Sequence, residues 1–168
     1  MKTRLIIIPI LLSFMFGCIS EHNTGADIKV GDPLPEFEVV MNDGTVVTET
    51  SLKGNVSVLM FFHTSCSDCQ QELPVVQSLF EQYTSKGVNF TLISRECSQE
   101  EIESYWKNNA LNLPYSAQND RTVYNLFASS RIPRIYISDE NGTVRYIFTD
   151  DPVVSYDDIK SAVESLIR

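Results

Sequence analysis

At 168 residues, with 43% hydrophobic and 21% charged side chains, the chain has the composition of an ordinary folded protein large enough for one domain with its own core. Its formal net charge of -9, without a cluster of Lys and Arg, argues against nucleic acid as a partner. The acidity otherwise speaks to solubility and says nothing of fold.

At the N-terminus, Lys2 and Arg4 precede an uncharged apolar run from Leu5 to Phe16. A positive flank and an apolar stretch too short for a comfortable membrane span are the pattern of a secretory signal. The alternative, a buried first element of the fold, sits poorly with the polar stretch from Ser20 to Ala26. Met15-Phe16-Gly17-Cys18 resembles a bacterial lipobox, in which the cysteine becomes the first mature residue and carries lipid. Phe16 stands where a small residue is usual and Met15 where Leu is usual, so a plain secretory signal with an incidental cysteine stays open. The expected organisation is a signal peptide over 1–17, a lipidated N-terminus and tether over 18–28 with Cys18 as the lipidation site, and one folded domain over 29–168. The expected location is the cell envelope, facing the periplasm and anchored to a membrane through Cys18.

Beyond the tether, Pro33 and Pro35 predict an extended lead-in. Phe37, Val39 and Met41 alternate, Asp43-Gly44 punctuates, and Val46-Val47 resumes, which predicts a hairpin. The nearly unbroken apolar run Val56 to Phe62 suits a central strand buried on both faces. From Asp68 the period turns helical, with Leu73, Val76, Leu79, Phe80 and Tyr83 on one stripe and Gly87 ending it; Pro74 inside should kink it. Val88 to Ile93 reads as a second strand, and Ser98 with Glu101 as a capping box opening a helix to about Asn108. Pro114 lies in a loop, Thr122 to Ala128 reads as a short helix, and Arg134 to Ser138 as a strand. Asp139-Glu140-Asn141-Gly142 turns into a returning strand, Thr143 to Thr149, and Ser155 caps a last helix to Ile167. Strands alternating with helices predict an α/β sandwich with a mainly parallel sheet and an antiparallel edge from the late hairpin.

Cys66-Ser67-Asp68-Cys69 follows the buried strand and opens the first helix. Structural zinc uses the same spacing, but its other candidates are only His22, His63 and Cys97; a plain structural disulfide is the second alternative. Placement favours chemistry. A helix N-terminus stabilises an anion, so Cys66 would be the exposed nucleophile, and Cys69, one turn inward, the resolving thiol. Glu72, three residues on, shares a helix face with Cys69 and could exchange a proton with it, although spacing alone favours a solvated Glu. Cys97 is read as a spare loop thiol, with a third redox role as the alternative, and Arg95 and Arg134 as solvated residues at the rim.

The segment Phe61-Phe62-His63-Thr64-Ser65-Cys66-Ser67-Asp68-Cys69-Gln70-Gln71-Glu72-Leu73-Pro74 resembles the active-site segment of the TlpA/ResA-like thioredoxin-fold thiol–disulfide oxidoreductases. Gly31-Asp32-Pro33 with Phe37, the Leu52-Lys53-Gly54 turn, and Pro133 before its strand extend the likeness from about Gly31 to Arg168. The resemblance implies a thioredoxin-like three-layer α/β sandwich: a central mixed sheet with an N-terminal β-hairpin extension. It implies Cys66 as attacking thiol, Cys69 as resolving thiol and Glu72 as a buried carboxylate. Pro133 would be a cis proline facing the cysteines, and the Ile132 backbone would pair with a bound polypeptide. The expected activity is extracytoplasmic disulfide exchange with protein substrates through a Cys66–Cys69 redox disulfide, in the reductive direction, by a monomer. No cofactor or metal is needed, because the dithiol carries the electrons; a membrane electron donor must restore it. Ser65 and Asp68 depart from the Trp and Pro usual beside the two cysteines, and His63 from a small or aromatic residue. Asp68 sets a negative charge between the sulfurs, which opposes a thiolate and predicts a reducing poise. A peroxiredoxin-like peroxidase is a competing reading, weakened by His63 where its motif has Thr; a non-catalytic binding lipoprotein of this fold is another.

Overall fold

The computed structural model describes residues 27–167, so the expected signal peptide over 1–17 and the expected lipidation site Cys18 lie outside the described residues. A five-stranded sheet in the order β5-β4-β3-β6-β7 forms the centre. Its strands are β3 (Ser57–Phe62), β4 (Asn89–Ser94), β5 (Tyr115–Ser116), β6 (Arg134–Ser138) and β7 (Val144–Phe148). A separate antiparallel hairpin, β1 (Glu38–Val40) and β2 (Val46–Thr48), pairs Val39 with Val47. Three helices complete the fold: α1 (Ser67–Tyr83), α2 (Gln99–Asn108) and α3 (Tyr156–Leu166).

The central strand β3 is buried along its whole length, as an apolar run with neighbours on both sides must be. It pairs parallel with β4 and antiparallel with β6. The antiparallel half of the sheet therefore begins at its centre, not at an added edge as the alternation of elements predicts. The cause is the connection from β5 to β6, which enters β6 from the opposite end through a turn at Tyr124–Leu126. That turn is a single 3-10 turn where a helix over 122–128 is expected. Strand β5, two residues long, carries no periodic signal and exists because Leu92 and Ile93 of β4 supply its register.

Successive side chains of β3 face opposite layers. Phe62 meets Trp106 of α2, with ring centres 5.2 Å apart. Phe90, registered beside Val58 on that same face, meets Phe80 of α1 at 5.6 Å. Phe61 points the other way, into Tyr124 and Phe127 at 5.2 and 4.9 Å, and Phe37 of the lead-in closes on Phe127 at 5.5 Å. The three layers are thus helices, sheet, and a cover made by the lead-in and the 3-10 turn.

Both sheet edges are covered, which blunts a pairing hazard. The Asn42 N–H donates to the Tyr115 carbonyl at 2.7 Å, so the hairpin caps β5; Gly31 and Asp32 bond to Val144 beside β7. Helix α1 runs unbroken across Pro74, whose side chain is exposed, while Leu73, Val76, Leu79 and Tyr83 hold the opposite face in the core. Helix α2 carries the expected capping box, with Ser98 Oγ accepting the Glu101 N–H at 3.3 Å and Glu101 accepting the Ser98 N–H at 2.9 Å.

Candidate active site

Strand β3 ends at Phe62, and its carbonyl is tied to the Arg95 N–H at 2.8 Å. The chain ends of β3 and β4 therefore lie side by side, and the segment His63 to Ser65 leads from there into α1. The Ser65 N–H donates to His63 Nδ1 at 3.1 Å. A backbone N–H can only donate, so Nδ1 carries the lone pair and the neutral ring its proton on Nε2. Gln70 Nε2 donates to the Thr64 carbonyl at 2.7 Å, clamping the loop from the helix side.

Cys66 is the N-cap of α1: its extended backbone places Sγ over the helix, where it accepts the Cys69 N–H at 3.4 Å. An orphan donor of the first turn thus points at sulfur, the arrangement that favours negative charge there. Cys66 is half-buried and its thiol reaches the Ile132 carbonyl at 3.6 Å. Cys69, one turn in, is fully buried. Burial pushes its thiol well above the ordinary range, and the neighbouring Cys66 and Glu72 add to the effect while the His63 backbone opposes it. Both sulfurs are free thiols.

Glu72 is 1% exposed, not solvated as spacing alone suggests. Its Oε1 accepts the N–H of Val154, which arrives from 82 residues away, at 3.0 Å. Burial pushes its carboxyl up to about 7, with help from the negative charges of Asp68 and Asp150, against the lowering effect of the Val154 N–H. A group near neutrality beside a thiol can take and return a proton.

Ile132 and Pro133 are buried, joined by a cis peptide bond, and lie across from Cys66. A second cis bond, Asp151–Pro152, lies in the loop that brings Val154 to Glu72. Arg134 is buried, not solvated at the rim. Its guanidinium reaches Asp27 Oδ2 at 2.7 Å, the Ser130 carbonyl at 3.1 Å and the Tyr136 hydroxyl at 3.3 Å. Arg95 lies with its guanidinium 5.1 Å from the Tyr124 ring centre. Cys97 is buried, its Sγ 3.2 Å from Thr64 Oγ1. The structure thus brings together Cys66, Cys69, Glu72, Ile132 and Pro133. Sequence reading misses Val154, Tyr124 and Arg131 in this region, because nothing local marks a backbone donor or a loop prop. Among the described residues no group of His, Cys, Asp or Glu is arranged to hold a metal ion.

Residues 30–147 match the model of the AhpC/TSA family. The chain belongs to that family. Within it the chain is a ResA/TlpA-like member with the thioredoxin fold. It is 25% identical over 139 residues to the thiol–disulfide oxidoreductase ResA of Geobacillus thermodenitrificans, covering 83% of this chain and 79% of that one. To ResA of Bacillus subtilis it is 25% identical over 122 residues, covering 73% and 68%. A thioredoxin-family thiol:disulfide interchange protein from Chlorobium tepidum superposes with a TM-score of 0.71 at 23% identity, over 85% of this chain and all of that one. The thioredoxin domain of a thiol–disulfide oxidoreductase from Bacteroides vulgatus gives 0.69 at 18% identity, over 82% and 99%. These solved structures establish for this AhpC/TSA member the thioredoxin fold.

Proposed function

We propose that the protein is an extracytoplasmic thiol–disulfide oxidoreductase that exchanges disulfides with protein substrates through Cys66 and Cys69, in the reductive direction. The observation that carries this reading is the asymmetry of the pair. Cys66 caps a helix at a half-buried site, and Cys69 sits wholly buried beside a carboxyl near neutrality. Its ResA relatives bear the name thiol–disulfide oxidoreductase.

In the forward step, the Cys66 thiolate attacks one sulfur of a substrate disulfide and expels the other as a thiolate. Cys69 then gives its proton to Glu72 and attacks the Cys66 sulfur. The Cys66–Cys69 disulfide forms, and the second substrate thiolate leaves. Two electrons pass to the substrate, whose thiolates take up protons, one of them by way of Glu72. Ile132, with Pro133 behind it, offers backbone to an extended substrate chain. A membrane electron donor reverses the sequence to restore the dithiol, and no cofactor takes part. Asp68, which sets a negative charge between the two cysteines, supports the reductive direction. We also propose that the signal peptide is removed after Gly17 and that Cys18 carries a lipid anchor, on the lipobox-like segment. Among the described residues no helix is long and apolar enough to cross a membrane.

His63 stands where the peroxidase motif has Thr, and the neighbouring Thr64 hydroxyl is engaged with Cys97 Sγ, so the peroxidase reading gains no support. Insulin reduction in the presence of dithiothreitol tests the proposal: the protein accelerates it, and Cys66→Ser abolishes the acceleration. Cys69→Ala freezes mixed disulfides at Cys66, and mass spectrometry identifies the trapped partners. A Cys66→Ser variant as active as the parent overturns the assignment.

A further inference from the structure

Two loops meet beside the cysteines. One, residues 129–133, carries the Ile132 carbonyl that lies 3.6 Å from Cys66 Sγ. The other, residues 149–155, carries the Val154 N–H that bonds Glu72 at 3.0 Å. Arg131 joins them: its Nη1 lies 3.4 Å from Asp150 Oδ1 and 3.8 Å from Asp151 Oδ2. Its backbone has φ of 71°, a left-handed conformation that costs energy in a residue with a Cβ. The contacts that maintain it come from elsewhere in the chain, foremost the Tyr124 hydroxyl, which donates to the Arg131 carbonyl at 2.5 Å. Backbone strain of this kind concentrates at functional sites.

The ion pair matters because Asp150 lies in the loop whose Val154 N–H bonds Glu72. The charged groups acting on Glu72 are Asp68 from α1 and Asp150 from the 149–155 loop, and Glu72 in turn acts on the Cys69 thiol of α1. Burial is the chief force on the Glu72 proton, and Asp68 and Asp150 add to it. Arg131 pairs with the one of these carboxylates that does not belong to the helix.

We propose that Arg131 is a positioning residue for proton transfer between Cys69 and Glu72: by pairing with Asp150 it ties the Ile132 loop to the Glu72 loop and shields Glu72 from that carboxylate. The inference rests on the reading of Glu72 as the proton partner of Cys69. Arg131 is half exposed on the loop offered to a partner chain, so a carboxylate on an approaching partner can draw it from Asp150. Asp150 is then unshielded, and Glu72 becomes the stronger base at the moment Cys69 must give up its proton.

The test is the pH dependence of reduction of an uncharged small disulfide, hydroxyethyl disulfide, by the full-length reduced protein and its variants. Glu72→Gln removes the inflection that belongs to Glu72. Arg131→Gln moves that inflection to higher pH by roughly 0.2–0.7 unit, the coupling expected of an exposed ion pair. Arg131→Lys stays near the parent, Asp150→Asn moves the inflection to lower pH, and Arg131→Gln adds nothing in the Asp150→Asn background. A shift below about 0.1 unit for Arg131→Gln, or an equal shift with and without Asp150, overturns the inference while the role of Glu72 stands. An inflection that survives Glu72→Gln overturns both.

Discussion

Glu72 shows how one side chain ties stability to chemistry. Its carboxyl is pushed from 4.5 to about 7 by burial first of all. A raised carboxyl binds its proton more firmly in the folded than in the unfolded chain. Its contribution is therefore fully present below about pH 4.5 and is lost as pH rises through about 7. Glu72→Gln cannot ionise and escapes that loss. Denaturant unfolding at pH 5 and pH 8 should show the parent losing up to roughly 3 kcal/mol relative to the Gln variant across that interval. Equal pH dependence of the two proteins would place the Glu72 ionisation in the ordinary carboxylate range. At this scale the sequence is legible where chemistry is local. The spacing of Cys66 and Cys69 at a helix start already separates an outer from an inner thiol. Glu72 and Arg134 are not legible in that way. Each is buried by groups distant in sequence, Glu72 by Val154 and Arg134 by Asp27, and helical or strand periodicity contains neither partner.

Among the elements, the ends are written locally and the pairings are not. The Ser98–Glu101 box closes on itself within four residues and is visible before any fold is known. Ser98→Ala removes the acceptor for the Glu101 N–H and should cost about 1 kcal/mol, read as a fall in Tm of about 2–4 °C. Insulin reduction should be unchanged, because α2 supplies no reacting group. Strand β5 is the reverse case. Two residues cannot carry a period-2 signal, and Tyr115–Ser116 is a strand only because β4 on one side and the Asn42 turn on the other bond its backbone. Pro74 likewise reads as a kink from local rules. Packing of Leu73, Val76, Leu79 and Tyr83 holds the turns on either side of it in register, so the helix continues.

For the molecule as a whole, the Phe61 cluster joins the sheet to the layer that supports the Ile132 loop. Phe61 is fully buried against Tyr124 and Phe127, and Tyr124 in turn holds the Arg131 carbonyl. Phe61→Ala should cost about 3–5 kcal/mol in denaturant unfolding, through lost transfer energy and the cavity left behind. It should also slow insulin reduction in the fraction that stays folded, because the prop beneath Ile132 loosens. A destabilised variant with full activity would separate the core from the site.

By itself the sequence determined the α/β class, the central buried strand, the three helices with the serine caps of the last two, and the cysteine pair at the start of the first helix. Each depends on periodicity or on groups within a few residues of one another. The tertiary structure alone decided that β6 runs antiparallel at the sheet centre, that Glu72 is buried on a backbone N–H from 82 residues away, and that Arg131 spans the two loops beside Cys66 and Glu72. These are contacts between distant segments, fixed only when the core closes and brings those segments together; a buried polar group such as the Glu72 carboxyl must then find its partner there.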